Sequence, residues 1–528
     1  MKLFFDPIKN NPEAEILDEA VTLDLQLEEI LHNCLHDRDM EQATFRVAAE
    51  FCNDPEIIYY RQGVVGDLIY FPELFDTFHE LRTNLWEMRI LYELNMFKTV
   101  PEMKSMKTFL VIEKFYNIYT ALLSHIENFD TSKLSKEMKK IIEDIRSEEN
   151  KKQIQSVYND IKGLRDSLET IGKIRLNRYF SRGQNVENSI ISKTDAKSLN
   201  QRLIDASEAL DIDTSIGKES AILSEKEFAR PVFKALYNLY YDIFKNIDDF
   251  HEKYTDYFDT SWFNLIFKFD AALGFAMLFK QLKDKGFAIC KGKVAPVTKI
   301  HDFYSMFLTN RDLTPEQVVS NDFITSEKTS FFFITGPNAG GKTIFLSALG
   351  LSQLFFQAFG FLPAVEGEIK VMKRMFTHFP VEEYNDKSGR LVEEQGRVET
   401  IFRHVTDNEC LALFNETYSS TKADIAYKLS VELTELSLKH NVSGVFVTHL
   451  HSLRDYAVET KDRDISVGVL TALHDHKTGS RTFKIVPLSD QNSSYAIDIL
   501  EKYNMTVEQM INRLKNKEKE EVENVSRV

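Results

Sequence analysis

The chain has 528 residues, too many for a single hydrophobic core, and roughly two to four domains are expected at that length. Hydrophobic residues at 43% and aromatics at 12% exclude wholesale disorder. With 65 basic and 81 acidic side chains the formal charge is −16, which excludes a uniformly basic nucleic-acid-binding surface; such contact has to come from a local basic patch or a clamped duplex.

The four cysteines, Cys34, Cys52, Cys290 and Cys410, stand in no CxxC or Cys/His ligand spacing. That usage fits a reducing cytoplasm and argues against a disulfide framework or a zinc site. The opening MKLFFDPIKNNPE carries Asp6 and Glu13 and no long apolar run, so it does not read as a signal peptide. The most apolar stretch, 264–282, is broken by Lys268, Asp270 and Lys280, which excludes a bilayer span. The expectation is a soluble cytoplasmic protein with no membrane partner.

From residue 1 to about 125 the pattern is helical, with Phe45, Val47, Ala48 and Phe51, then Leu81, Leu85, Met88, Ile90, Leu91 and Leu94, near helical spacing. Asn53-Asp54-Pro55 reads as a helix stop. Residues 126–170 are charge-laced, with narrow apolar stripes at Leu134, Met138, Ile141, Ile142 and Ile145, then at Ile154, Val157, Ile161, Leu164 and Leu168. Such helices pack on one side only, as in a protruding arm or an antiparallel pair. Lys133, Lys136, Lys139, Lys140, Lys151 and Lys152 invite a DNA contact, but the interleaved acids favour a solvated face.

Residues 174–193, with Arg175, Arg178, Arg182, Gly183 and Asn185, read as a connector or hairpin. Helical pattern resumes from about 225 to 285, where the dense aromatics recur beside Leu and Ile and read as core rather than base-stacking platforms. After Lys291-Gly292-Lys293-Val294-Ala295-Pro296 the pattern turns to short strands, then to strands alternating with helices. The apolar runs 411–414 and 444–447 predict an α/β domain with a largely parallel sheet. The charge run after Leu514 reads as a tail.

The most specific stretch is 331–346, FFFITGPNAGGKTIFL: an apolar strand, a glycine-rich loop and an apolar helix. In that context Gly336-Pro337-Asn338-Ala339-Gly340-Gly341-Lys342-Thr343 reads as a phosphate-binding loop. Its glycines let backbone N–H groups close around phosphate oxygens, helped by the helix N-terminus. Lys342 reaches the β and γ phosphates of ATP, and Thr343 offers a hydroxyl to Mg²⁺.

Three further stretches lie where an ABC-type ATPase needs them. One apolar strand ends at Asn415-Glu416, where an acid normally holds Mg²⁺ and the next carboxylate polarises water. Glu416 suits the second task, while Asn415 lacks the charge the first favours. A second strand ends at Thr448-His449, where a histidine can donate to the γ-phosphate; standing alone, that pair would read as a helix cap. Ser388 begins SGRLVEE ahead of a helical pattern, and in ABC-type dimers such a helix start faces the partner's γ-phosphate.

On these residues the chain resembles the MutS family. The resemblance covers TGPNAGGKT with its lead-in and following helix, Ser388-Gly389-Arg390 (Arg390 in an aromatic's place), Asn415-Glu416, Thr448-His449, and the closing SSYAIDIL with Ala496 for glycine. It is strong over 296–514 and diffuse over 20–295, where DPEIIYYRQGVVGDL and FDAALGFAMLF are similar to the helical core and the return of the lever.

It implies a multidomain protein: an all-α core and lever region over 1–295, with 126–200 as an arm or short clamp, an α/β ABC-type P-loop ATPase domain over 296–514, and a charged tail over 515–528. It also implies an early-starting form without mismatch-recognition and connector domains, because the helical region begins almost at residue 1. The implied activity is ATP hydrolysis by a homodimer joined through its ATPase domains and clamping DNA, slowed because Asn415 replaces the usual Asp. The rival expectation is a nucleotide-gated scaffold with weak ATPase activity acting on a protein or ribonucleoprotein partner.

Overall fold

The computed structural model describes residues 6–11, 16–93, 104–170, 174–179, 188–193, 236–255, 262–309, 311, 313–337, 339–380, 390–405, 409–474 and 481–488. It divides into two compact units, one formed by Phe71–Phe269 with the first six residues, the other by Pro7–Tyr70 and the chain from Asp270 onward. Among the described residues no helix is long and apolar enough to cross a membrane.

In the first unit the helices are α5 (Pro72–Glu93), α6 (Lys104–Ile126), α7 (Lys136–Arg146), α8 (Glu148–Thr170) and α9 (Tyr241–Tyr254), followed by the start of α10 (Trp262–Asp284). Ser135 caps α7 by accepting from the Met138 amide, and Met138, Ile141, Ile142 and Ile145 bury the stripe behind it. The stripe of α8 enters a core with Phe109 and Ile112 of α6 and with Phe244, Ile247 and Phe250 of α9. The charge-laced pair therefore packs along its apolar side, and Glu113, nearly buried on α6, pairs with Arg165 of α8. Strands β1 (Ile174–Tyr179) and β2 (Asn188–Lys193) pair antiparallel, so the expected hairpin is present.

The second unit begins with α1 (Glu19–Asp24), α2 (Leu27–Leu35), α3 (Arg38–Ala49) and α4 (Pro55–Tyr70). The Asn53-Asp54-Pro55 signal starts α4 rather than stopping α3, which has already ended at Ala49. Asp54 accepts from the Glu56 and Ile57 amides at 2.8 and 3.4 Å, and Pro55, which has no amide hydrogen to leave unpaired, takes the first helical position.

Short strands β3 (Cys290–Lys291), β4 (Lys293–Val294), β5 (Lys299–Phe303) and β6 (Asn321–Ile324) lead to β7 (Thr329–Thr335), with the single-turn α11 (Met306–Thr309) among them. Helix α12 (Lys342–Phe359) follows, then β8 (Phe361–Leu362), β9 (Glu366–Ile369), β10 (Arg374–His378) and α13 (Arg390–His404). Strand β11 (Cys410–Asn415), α14 (Ala423–Lys439), β12 (Ser443–Val447), α15 (Leu453–Glu459), β13 (Ser466–His474) and β14 (Arg481–Pro487) complete the order.

The main sheet runs β10-β11-β12-β7-β13-β14, parallel except for the last pair; a smaller sheet runs β4-β9-β5-β6. The apolar runs seen in the sequence are the buried strands β7, β11 and β12. A helical region followed by an α/β domain is thus observed, although α1 to α4 belong to the same unit as the sheet.

Helix α12 is buried along almost its whole length, and Phe275 of α10 stacks on its Phe359 at 4.1 Å. Its far end is tied by polar groups. Arg61, fully buried on α4, donates to the carbonyls of Lys9 and Ala358, and Gln62 donates to those of Gly292 and Gly360. Gln357 donates to the carbonyls of Cys52 and Met372. Buried polar groups satisfied in this way fix one packing of α4 on α12.

Candidate nucleotide site

Because β7, β11 and β12 are parallel neighbours, their C-terminal ends open on one edge of the sheet, the usual place for a ligand in such an architecture. The glycine-rich loop leaves β7 there and runs into the N-terminus of α12. Gly336 has φ +124° and a Cβ on it would lie 3.0 Å from that of Ala472; Gly341, at φ +90°, caps α12 in the left-handed region. Both positions therefore require glycine. Ala339, at φ 57°, shares that strained backbone, as phosphate-binding loops do when their amides converge.

Lys342 is 4% exposed, and its ammonium donates to the carbonyls of Gly336 and Pro337, both at 2.9 Å. Burial pulls its pKa below the usual lysine range, partly offset by the charge of Glu416. Thr343 donates its hydroxyl to the Asn415 side-chain oxygen at 3.3 Å, so the loop's threonine and the end of β11 meet. Glu416 follows with φ 53°, its amide bonded to the Val447 carbonyl at 2.9 Å. His449, just past β12, meets the Glu416 carboxylate at 2.7 Å through Nε2. Thr448 extends the strand edge by donating its amide to the Ile334 carbonyl at 3.0 Å.

Gly336, Pro337, Ala339, Gly340, Gly341, Lys342, Thr343, Asn415, Glu416 and His449 thus gather at one sheet edge. Asn338 and Ser388 lie outside the described residues, as do Ser494-Tyr495-Ala496 and the tail. The fit to a Mg²⁺–nucleotide rests on three features: a loop whose backbone excludes a Cβ, a buried lysine bonded to loop carbonyls, and a hydroxyl paired with a neutral amide oxygen. Two oxygen donors at that point suit a hard cation that keeps most of its waters.

The comparisons with known proteins bear on this same region. Residues 332–521 match the family model described as MutS domain V. A DNA mismatch repair protein MutS of Prochlorococcus marinus (strain MIT 9301) is 30% identical over 143 residues, 27% of this chain and 16% of that protein. An Endonuclease MutS2 of Lactobacillus helveticus (strain DPC 4571) is 28% identical over 225 residues, 42% of this chain and 28% of the relative. The Endonuclease MutS2 of Geobacillus kaustophilus (strain HTA426) is 30% identical over 228 residues with the same two shares. Over this region the chain is similar to the MutS family. It matches less than a third of the length of these MutS relatives.

Sequence reasoning passed over the shell behind Glu416. His378, ending β10 and 2% exposed, meets the Thr417 hydroxyl through Nδ1 at 2.9 Å. Tyr418 donates to the Gln395 side-chain oxygen of α13 at 2.9 Å, and Ser420 donates to Glu394 of the same helix at 3.0 Å. The one sequence signal was a histidine closing an apolar strand before Pro380, which has many ordinary readings.

Proposed function

We propose that this edge is the ATP site of a MutS-type, ABC-class ATPase, dimeric through that domain. It couples nucleotide state to the clamping of DNA in a repair- or recombination-related task other than ordinary mismatch recognition. The observation that carries the reading is the meeting of Thr343 with Asn415 and of Glu416 with His449 beside the glycine loop.

In this account the loop amides from Gly336 to Thr343 bind the phosphates of ATP, with Asn338 among them. Lys342 leaves the Gly336 and Pro337 carbonyls for the β and γ phosphates. Thr343 and Asn415 hold Mg²⁺, which supplies charge neutralisation on the phosphates when bound. Glu416 accepts a proton from the attacking water, and His449 orients that carboxylate and senses the γ-phosphate. Ser388 faces the nucleotide of the second subunit, and residues 126–200 serve as the clamp arm.

A second reading has support from Asn415 and from the net charge of −16: a nucleotide-gated scaffold that turns over slowly while acting on a protein or ribonucleoprotein. ATP hydrolysis by Lys342→Ala and Glu416→Ala proteins tests the first. Both are expected to lose turnover, and activity surviving in both would refute the site. Duplex DNA binding measured at two salt concentrations tests the partner, because phosphate-driven binding weakens steeply as salt rises. Salt-insensitive or absent binding would favour the scaffold.

A further inference from the structure

The turn that carries Glu416 is held from behind by groups that touch no nucleotide. Glu416 and Tyr418 have φ 53° and 66°, a backbone region that strains a side-chain-bearing residue and persists only when its surroundings over-determine it. The over-determination is visible. The Glu416 amide reaches Val447, the Ser419 amide returns to the Glu416 carbonyl, and Thr417, Tyr418 and Ser420 each hold a side-chain bond to β10 or α13.

Of these ties only the one to His378 is sealed: His378 is 2% exposed and Thr417 3%, and the pair lies directly behind the carboxylate-bearing residue. Among the described residues the buried Nε2 of His378 has no well-formed hydrogen bond. A buried, half-satisfied histidine costs stability. Its tie to Thr417 is the return for that cost.

We infer that His378 is a positioning residue for Glu416, fixing through the Thr417 hydroxyl the left-handed turn that aims the Glu416 carboxylate at His449 and at the attacking water. The inference rests on the ATPase reading. It goes beyond it in giving the Thr417-Tyr418 segment the task of holding that turn. Asparagine at 378 keeps a polar atom near the position of Nδ1, and serine at 417 keeps the hydroxyl; leucine and valine remove them.

The test measures steady-state ATP turnover and amide hydrogen exchange of the full chain for His378→Leu, His378→Asn, Thr417→Val and Thr417→Ser. A misdirected general base costs on the order of 10- to 100-fold in kcat. His378→Leu and Thr417→Val are expected to show that loss with the KM for ATP within about twofold of wild type. Thr417→Ser and His378→Asn should recover most of it. Exchange across 415–420 should quicken in the first two proteins and not elsewhere. Unchanged kcat in Thr417→Val overturns the inference, as does Thr417→Ser being as impaired as Thr417→Val. A rise in KM with faster exchange along the whole chain does so as well, since it marks a merely structural role. If wild-type turnover does not exceed that of Glu416→Gln, the ATPase reading fails on its own. Exchange then decides the tether: selective quickening in Thr417→Val with protection in Thr417→Ser keeps it, and equal exchange removes it.

Discussion

Asn415→Asp probes the site's main departure from an acidic strand end. Asn415 is 5% exposed and its side-chain oxygen already accepts from Thr343 at 3.3 Å, so an isosteric carboxylate can keep that bond. Without metal the change buries a charge near the loop, and a loss of roughly 1–3 kcal/mol in unfolding free energy is expected. With metal the sign reverses, because a charged acceptor contributes about 1.5–3 kcal/mol where a neutral one contributes about half that. The net gain of about 0.8–1.5 kcal/mol corresponds to a roughly 4- to 13-fold lower Mg²⁺ concentration for half-maximal ATP binding. Equilibrium binding of a fluorescent ATP analogue across a Mg²⁺ titration reads this without turnover, and thermal melts with and without Mg²⁺ read the crossing of signs. An unchanged Mg²⁺ midpoint would refute the placement of Asn415 beside the metal. A large accompanying rise in turnover would mean that the natural site is slow by construction.

Three other outcomes follow from the same geometry. Arg61→Ala takes the guanidinium from the buried Ala358 carbonyl and the part-buried Lys9 carbonyl and opens a cavity between α4 and α12, so urea unfolding should show a loss of roughly 3–5 kcal/mol. His449→Ala removes the partner held 2.7 Å from Glu416 and should lower kcat by about 10- to 100-fold with little change in ATP affinity, as read by stopped-flow and equilibrium binding. Burial, and then the Arg397 charge, pushes His378 from 6.5 down to about 4, although nearby backbone carbonyls of His378 and Glu394 oppose this. A base depressed in the folded state adds stability that is complete above the unfolded value and lost as pH falls from about 6.5 to 4, on the order of 3 kcal/mol in full. Urea midpoints at pH 7 and 4.5 should therefore diverge more in wild type than in His378→Asn. Asp24, whose pKa burial raises, contributes alike in both proteins.

The strands that build the site were legible because each is a short apolar run closed by polar residues, and β7, β11 and β12 carry it at full burial. The hairpin at β1 and β2 was legible from its change of period. Pairings between distant segments were not. Arg61 and Gln357 look like surface polar residues in their local pattern, yet both are buried and bind backbone carbonyls nearly three hundred residues or more away in sequence. Local periodicity carries no information about such partners, which is why α1 to α4 read as part of a separate helical region. Asp54-Pro55 was read as a stop because the same residues that end one helix also begin the next. At the site, residue type marked the groups that gather around the glycine-rich loop. His378, Thr417 and Gln395, which stand behind them, became visible only when β10, β11 and α13 were brought together.

The most direct measurement is ATP binding and ATP turnover on the same preparations of wild type and Glu416→Gln. Both are expected to bind ATP in the presence of Mg²⁺ with similar affinity, and only the wild type to release phosphate. Phosphate release by Glu416→Gln at the wild-type rate, or no ATP binding by the wild type, would contradict the ATPase reading.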